Sequence, residues 1–334
     1  MITSAKSMKV LVTGPDGLLG SNLVRELLGR GFSVRALIQP KSRSHTLDGL
    51  PIERCDGDIL DPSSLKEAIR DREVVFHCAA LTNLWPPRAP WITEVNVEGT
   101  RNILKAVMNS PVKRLVHVGS ASSFGFGPKE NPGTEESPYL SGRFHMAYMD
   151  SKHTAQEMVR QHAQEGKLDA VIVNPTFMIG PFDSGPSSGE LILGFIKRKL
   201  PFYPPGGRNF VHARDAAKGM IAALEKGRIG ENYILGHQNL SYQEFFSKVA
   251  SIAGIKPPKL QAPKPLILLA GLAGSAFGTI SGRTPLISYM MAKISCLGNY
   301  YSPAKAVREL GLPQTPIETA IEDAYRWFKD NGYL

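Results

Sequence analysis

With 334 residues, 42% hydrophobic and 21% charged, the chain is long enough for one large α/β domain with a smaller appended portion. Its make-up excludes long disorder and fibrous repeats. The formal net charge of +9 comes from scattered basic residues, the densest run being Lys197-Arg198-Lys199; this argues against a nucleic-acid stripe and for a positive field that favours an anionic small ligand.

Strands and helices alternate through the first half. Lys9–Thr13 reads as a short apolar strand, followed by a helix over 18–30 with Leu19, Leu23, Leu27 and Leu28 on one face. A strand over 33–38, a helix over 63–71 announced by Asp61-Pro62, a strand over 74–78, a helix over 93–108 and a strand over 114–119 follow. A long helix over 147–165 leads into a strand over 169–173. This order predicts an α/β fold, a doubly wound parallel sheet with ligands at the carboxyl ends of its strands. After Pro175 the segment 176–207 is rich in Gly and Pro around one helix at 190–199. A strand over 208–212 and a helix over 215–225 then return, and 240–334 is mainly helical. The expected division is therefore a dinucleotide-binding part over 8–175, rejoined by 208–238, and a smaller, mainly helical substrate-binding portion over 176–207 and 239–334. The apolar run from Pro265 to Ile280, about 16 residues with small residues near its centre, falls short of a bilayer span. It reads as a buried or pocket-lining helix, with peripheral membrane contact as the alternative. Cys55, Cys78 and Cys296 form neither a CxxC pair nor a disulfide framework, and the polar start MITSAKSMKV does not resemble a signal peptide. A reducing, cytoplasmic setting is expected.

The turn after the first strand reads Thr13-Gly14-Pro15-Asp16-Gly17-Leu18-Leu19-Gly20. Gly14 permits the tight turn, Gly17 lets the backbone approach a pyrophosphate, and Gly20 lets helix and strand pack closely. The N–H groups around Asp16, Leu18 and Leu19 and the positive end of the helix dipole then face the phosphates. An acid at the end of the second strand would favour NAD. Here the sequence is Gln39-Pro40-Lys41-Ser42-Arg43, and Gln39, Lys41 and Arg43 suit a 2′-phosphate, so NADP is expected with NAD as the alternative. Asp58-Ile59, at the end of the third strand, suits the adenine amino group or is simply a turn.

Tyr148 and Lys152 are four residues apart on the long helix and so share a face. A neighbouring ammonium and the positive nicotinamide ring favour phenolate and lower a phenol's pKa from ~10, which equips Tyr148 to give a proton to a carbonyl oxygen or take one from an alcohol. Ser120, at the end of the preceding strand, is the candidate hydroxyl for the substrate oxygen, with Ser122 and Ser123 as alternatives. Asn96 either polarises the site, positions a water or is structural. The eight histidines show no HExxH or paired metal spacing, so no metal is expected.

These motifs resemble the extended (atypical) short-chain dehydrogenases/reductases across nearly the whole chain. They are TGPDGLLG at 13–20, DREVVFHCAA at 71–80, Asn96-Val97-Glu98-Gly99-Thr100, Ser120, Tyr148 through Lys152, Asn174-Pro175 and Asn209-Phe210-Val211-His212. VNPTFMIGP at 173–181 and YSPAKAVRELG at 301–311 are similar to the dihydroflavonol-4-reductase-like branch, which includes bacterial members labelled hopanoid-associated sugar epimerases. The resemblance implies NADPH-dependent reduction of a ketone or aldehyde, or the reverse oxidation. It also implies cofactor contacts from Ala79, Ala80, Asn96, Lys152 and Pro175, and a homodimer through the helices at 93–108 and 147–165. Many relatives carry Arg where Gln39 stands. Trp85, Phe124, Phe126, Phe177, Met178, Phe182, Phe195 and Phe202 are candidate pocket residues for an apolar or aromatic substrate, with core packing the alternative for at least half of them. A nucleotide-sugar epimerase with tightly held NAD is the alternative. There Asn174 and Arg208 align with diphosphate-binding positions, although Arg208 also suits a surface carboxylate. A non-catalytic dinucleotide sensor is the third reading.

Overall fold

In a computed structural model, residues 8–40, 42, 44–198 and 202–334 are described. The strands are β1 (Lys9–Thr13), β2 (Ser33–Ile38), β3 (Glu53–Asp56), β4 (Val74–His77), β5 (Arg114–Val118), β6 (Ala170–Pro175), β7 (Phe177–Ile179), β8 (Phe202–Tyr203), β9 (Gly207–His212), β10 (Asn232–Leu235), β11 (Gln238–Ser241), β12 (Leu260–Gln261) and β13 (Gly298–Asn299). The helices are α1 (Leu18–Gly29), α2 (Pro62–Ile69), α3 (Pro90–Thr93), α4 (Gly99–Met108), α5 (Ala147–Gln164), α6 (Glu190–Arg198), α7 (Ala213–Lys226), α8 (Tyr242–Ala253), α9 (Lys264–Ser281), α10 (Tyr289–Ser295), α11 (Ala304–Leu310) and α12 (Ile317–Asp330). Local chemistry sets several of the boundaries. The Asp61 carboxylate accepts from the N–H groups of Ser63 and Ser64, and Pro62 opens α2. Ser241 and Glu244 form a capping box at α8.

Seven strands form one parallel sheet in the order β10-β6-β5-β4-β1-β2-β3. Alternation along each strand feeds two cores. Val10 and Val12 join Leu23, Leu27 and Met220 between the sheet and α1 and α7. Leu11 joins Leu65, Ile103, Leu104 and Val159 under α2, α4 and α5. Each such fully buried aliphatic side chain contributes roughly 2 kcal/mol. Chain reversal between β1 and β4 opens the crevice in which ligands of such sheets lie.

The second portion has its own aromatic core. The rings of Phe210 and Phe245 stack at 4.2 Å, and Phe195 lies 4.7 Å from Phe246. It also carries a four-stranded sheet of β7, β9, β11 and β13. The expected return at 208–238 is therefore split. Strand β10 completes the large sheet and α7 packs on it, whereas β9 pairs with β7, β11 and β13 in the small one. Phe195, expected near the pocket, is instead buried between α6 and α8.

The expectation of a buried or pocket-lining helix at 265–280 is corrected. A helix is present, but Leu266, Leu269, Leu272, Phe277 and Ile280 are exposed. Composition identifies an apolar helix without saying which element covers it.

Candidate active site

The glycine turn is sterically determined. Gly14 has φ +61°, and a Cβ there would lie 2.8 Å from the backbone of Ala79. A Cβ on Gly20 would lie 2.0 Å from the Gly14 carbonyl oxygen. At Gly17, by contrast, the nearest atom to an added Cβ is 3.8 Å away, and this residue is exposed. No side chain caps α1, so its first N–H groups are available to an anion. Leu18 and Leu19 bury their side chains in the core and offer only backbone to a ligand. The close approach of Gly14 to Ala79 brings the turn against the Ala79-Ala80 loop that leaves β4. Thr13 Oγ1 accepts from the Ala79 N–H and lies 2.8 Å from His77 Nδ1, while His77 Nε2 lies 3.1 Å from Thr100 Oγ1. Burial holds the His77 pKa down at about 3, so the ring is a neutral spacer.

Lys152 carries the site across the sheet. It is 5% exposed, and its ammonium donates to the carbonyl oxygen of Val118 at the end of β5. Burial lowers its pKa to about 8. Cys78, after β4, is pushed up to about 12 by burial and remains a thiol. Two residues beyond Val118, the Ser120 hydroxyl lies 2.8 Å from that of Ser122 and faces the Tyr148 phenol. Ser123 is buried with no partner at its hydroxyl among the described residues. The glycine turn, the ends of β4 and β5, and one face of α5 therefore converge.

The part of the electrostatic expectation that rested on Lys152 is corrected. The Tyr148 pKa is raised, because burial outweighs the groups that favour phenolate. Those groups are Ser120 and Arg208. The ammonium of Lys152 is turned to Val118 rather than to the phenol. Arg208, on β9, donates from Nε to the Tyr242 hydroxyl at 2.8 Å and lies 4.8 Å above the Phe177 ring. It makes no ion pair with a carboxylate among the described residues, so the surface-pair reading is not met. Tyr301 is a further buried phenol that feels Arg208. It lies too far along the chain from Tyr148 for any sequence spacing to have indicated it.

Other candidates fall elsewhere. Asn174 is fully buried on β6 and donates to Asn232 at 3.1 Å, with its oxygen packed where a Cβ of Gly119 would be. It faces the α5 layer because alternation puts it with Ala170 and Ile172, so it is not open to a substrate. Phe124 is 5% exposed and packs with Ala121, Ile234 and Tyr301. The Ile59 side chain is buried against Gly99. Asn96 is committed to structure: its oxygen accepts from the Leu81 N–H at 2.7 Å, and its amide donates to the Leu81 carbonyl and to Ser151 Oγ at 3.0 and 2.9 Å. It pins the loop after β4 to α5. Trp85 packs on Gly278 of α9. Met178 is partly buried on β7, and Pro175 ends β6 beside Leu235.

At the far end of the crevice, the exposed Gln39 donates to Asp58 at 3.2 Å, and Ser42 donates to Asp16 at 2.6 Å. Strand pairing of Ile38 with Asp56 brings this Asp58 carboxylate to β2, although none follows Ile38 in sequence. Lys41 and Arg43 lie outside the described residues.

A sequence model described as "NAD dependent epimerase/dehydratase family" matches residues 10–236. A Synechocystis sp. protein provisionally named dihydroflavonol 4-reductase is 37% identical, over 97% of this chain and 95% of its own. Sterol demethylase protein B of Methylococcus capsulatus is 32% identical, over 98% of this chain and 100% of its own. The crystal structure of PA4631, a nucleoside-diphosphate-sugar epimerase from Pseudomonas aeruginosa, superposes with a TM-score of 0.78 at 28% identity, covering 98% of this chain and 99% of that one. The family model spans residues 10–236, and both relatives span nearly all of the chain. The chain thus belongs to the NAD dependent epimerase/dehydratase family, the extended short-chain dehydrogenases/reductases that work with NAD(P).

Proposed function

We propose that this protein is a reductase that prefers NADPH and converts a ketone or aldehyde on an apolar or aromatic small molecule to the alcohol, or runs the reverse oxidation. The observation that carries the reading is the convergence of Ser120, Tyr148 and Lys152 beside the glycine turn. The open Gly17 and the uncapped α1 fit a dinucleotide pyrophosphate. Once bound, the dinucleotide supplies or accepts the hydride. Tyr148 keeps its proton at neutral pH, since burial raises its pKa, and so suits donation to a carbonyl oxygen. Ser120 Oγ orients that oxygen and stabilises developing charge on it. Lys152, anchored on Val118, positions the cofactor side of the site. Partly buried Leu84, Phe126, Met149 and Leu297 surround the start of α5 and favour an apolar substrate. The NADPH preference rests on Gln39, Lys41 and Arg43.

A second reading, a nucleotide-sugar epimerase, is favoured by Arg208. This cation is only partly exposed, has no carboxylate partner among the described residues, and is felt by the Tyr148 phenol. Such a group suits an anionic substrate moiety. The experiment is the reduced-nicotinamide absorbance of purified protein mixed with NADPH and a panel of aldehydes and ketones. Steady loss of the band supports reduction. Tightly copurified NAD with no net turnover supports epimerisation, and bound cofactor with neither activity supports a sensor.

A further inference from the structure

Helix α9 is inverted relative to an ordinary surface helix. Its glycines face the protein: a Cβ on Gly271 would lie 2.5 Å from Ala292, one on Gly274 2.2 Å from the Ile287 carbonyl oxygen, and one on Gly278 2.7 Å from the Trp85 ring. Its large apolar side chains face outward, with Leu269 63%, Phe277 57% and Ile280 87% exposed. Leu266 and Leu272 lie on the same outward side, and Leu286 follows in the connection to α10. Along α9 the intervals of three, three, five and three residues keep Leu266, Leu269, Leu272, Phe277 and Ile280 on one face. A contiguous apolar face of this kind marks an interaction surface.

Charge identifies what covers it. Between Glu244 and Glu309 the chain has no Asp or Glu but eight Lys or Arg residues. Lys248, Lys305 and Arg308 are ion-paired. Lys256, Lys259, Lys264, Arg283 and Lys293 are exposed and make no ion pair among the described residues. Lys264 and Arg283 bracket α9 itself. A second copy seated on this face by a two-fold axis would bring like charges together. An anionic bilayer surface satisfies both features at once, with apolar side chains entering the acyl boundary and lysines resting at the headgroups. The close backbone packing at Gly271, Gly274 and Gly278 keeps the helix on the protein, which suits lying in the interface rather than crossing it.

We propose that α9 docks this protein onto anionic lipid membranes as an interfacial helix, with Lys256, Lys259, Lys264 and Arg283 as the headgroup contacts. The test is sedimentation of the full chain with vesicles of equimolar phosphatidylcholine and phosphatidylglycerol, against vesicles of phosphatidylcholine alone. The unaltered chain should bind the mixed vesicles at least about tenfold more tightly, and raised salt should weaken that binding. A Leu269→Ser, Phe277→Ser, Ile280→Ser variant should lose binding, and Lys256→Gln, Lys259→Gln, Lys264→Gln should weaken it about tenfold or more. These side chains are exposed, so the thermal midpoint should hold. No binding of the unaltered chain, or equal binding by the variants, overturns the proposal. So does a change of oligomeric state in the apolar variant without vesicle binding, which assigns the face to a second copy, or resistance of the bound chain to a high-pH wash, which marks a spanning helix. Neither arm reads turnover, so the result is independent of the proposed reaction.

Discussion

The Lys152 ammonium donates to the main-chain carbonyl of Val118, not to the phenol of Tyr148 one turn earlier on the same helix. The cation therefore sits buried at the end of β5, with its pKa held at about 8 against an ordinary 10.5.

This depression makes a stability prediction. Between about 8 and 10.5 the unfolded chain binds more protons than the folded one at this group, so stability rises with pH through that window; below about 8 the full cost of burying the cation is present. Lys152→Met in cofactor-free protein should be more stable at neutral pH, by about 1–2 kcal/mol after loss of the Val118 hydrogen bond. The gain should shrink as pH approaches 10.5. Urea unfolding at several pH values measures both, and a destabilised variant at neutral pH refutes the account.

Tyr148→Phe removes one hydroxyl and leaves the partly buried ring. Turnover should fall by roughly 10²–10⁴, with dinucleotide affinity unchanged in a fluorescence titration. Full activity would end the proton-transfer role.

The two later glycines of the first turn should separate folding from binding. An added Cβ at Gly20 meets backbone at 2.0 Å, so Gly20→Ala should cost about 1–3 kcal/mol in thermal unfolding without cofactor. An added Cβ at Gly17 meets nothing nearer than 3.8 Å. Gly17→Ala should leave the midpoint near its original value while weakening dinucleotide binding, since the methyl enters the space left for phosphate.

Cofactor choice is tested by dissociation constants for NADPH and NADH. NADPH should bind more tightly, and Lys41→Glu with Arg43→Glu should erase the difference. Tighter NADH binding by the unaltered protein would instead credit Asp58, which Gln39 holds at the end of β2, with a ribose hydroxyl.

Arg208→Gln distinguishes the two proposed reactions. For an apolar carbonyl substrate KM should change little. For an anionic sugar nucleotide it should rise by about tenfold or more, the loss of a charge-assisted contact.

Much of the fold was legible in short stretches of chain. Alternating strands and helices, Asp61-Pro62 at a helix start, the glycine turn and the Tyr148–Lys152 spacing each depend on residues within a few positions, where backbone sterics and helix or strand periodicity act. Which way a side chain then turned was decided by elements far along the chain. Lys152 met Val118; Arg208 arrived beside Tyr148 on a strand that left the large sheet for the small one; Asn174 and Phe124 were covered by layers that local pattern does not reveal. The apolar run at 265–280 makes the same point from the other side: its composition specified a helix, and only packing showed that its glycines face the protein and its leucines face outward. Periodicity is a property of neighbours in sequence, whereas burial and electrostatics are set by whichever distant residues close over them.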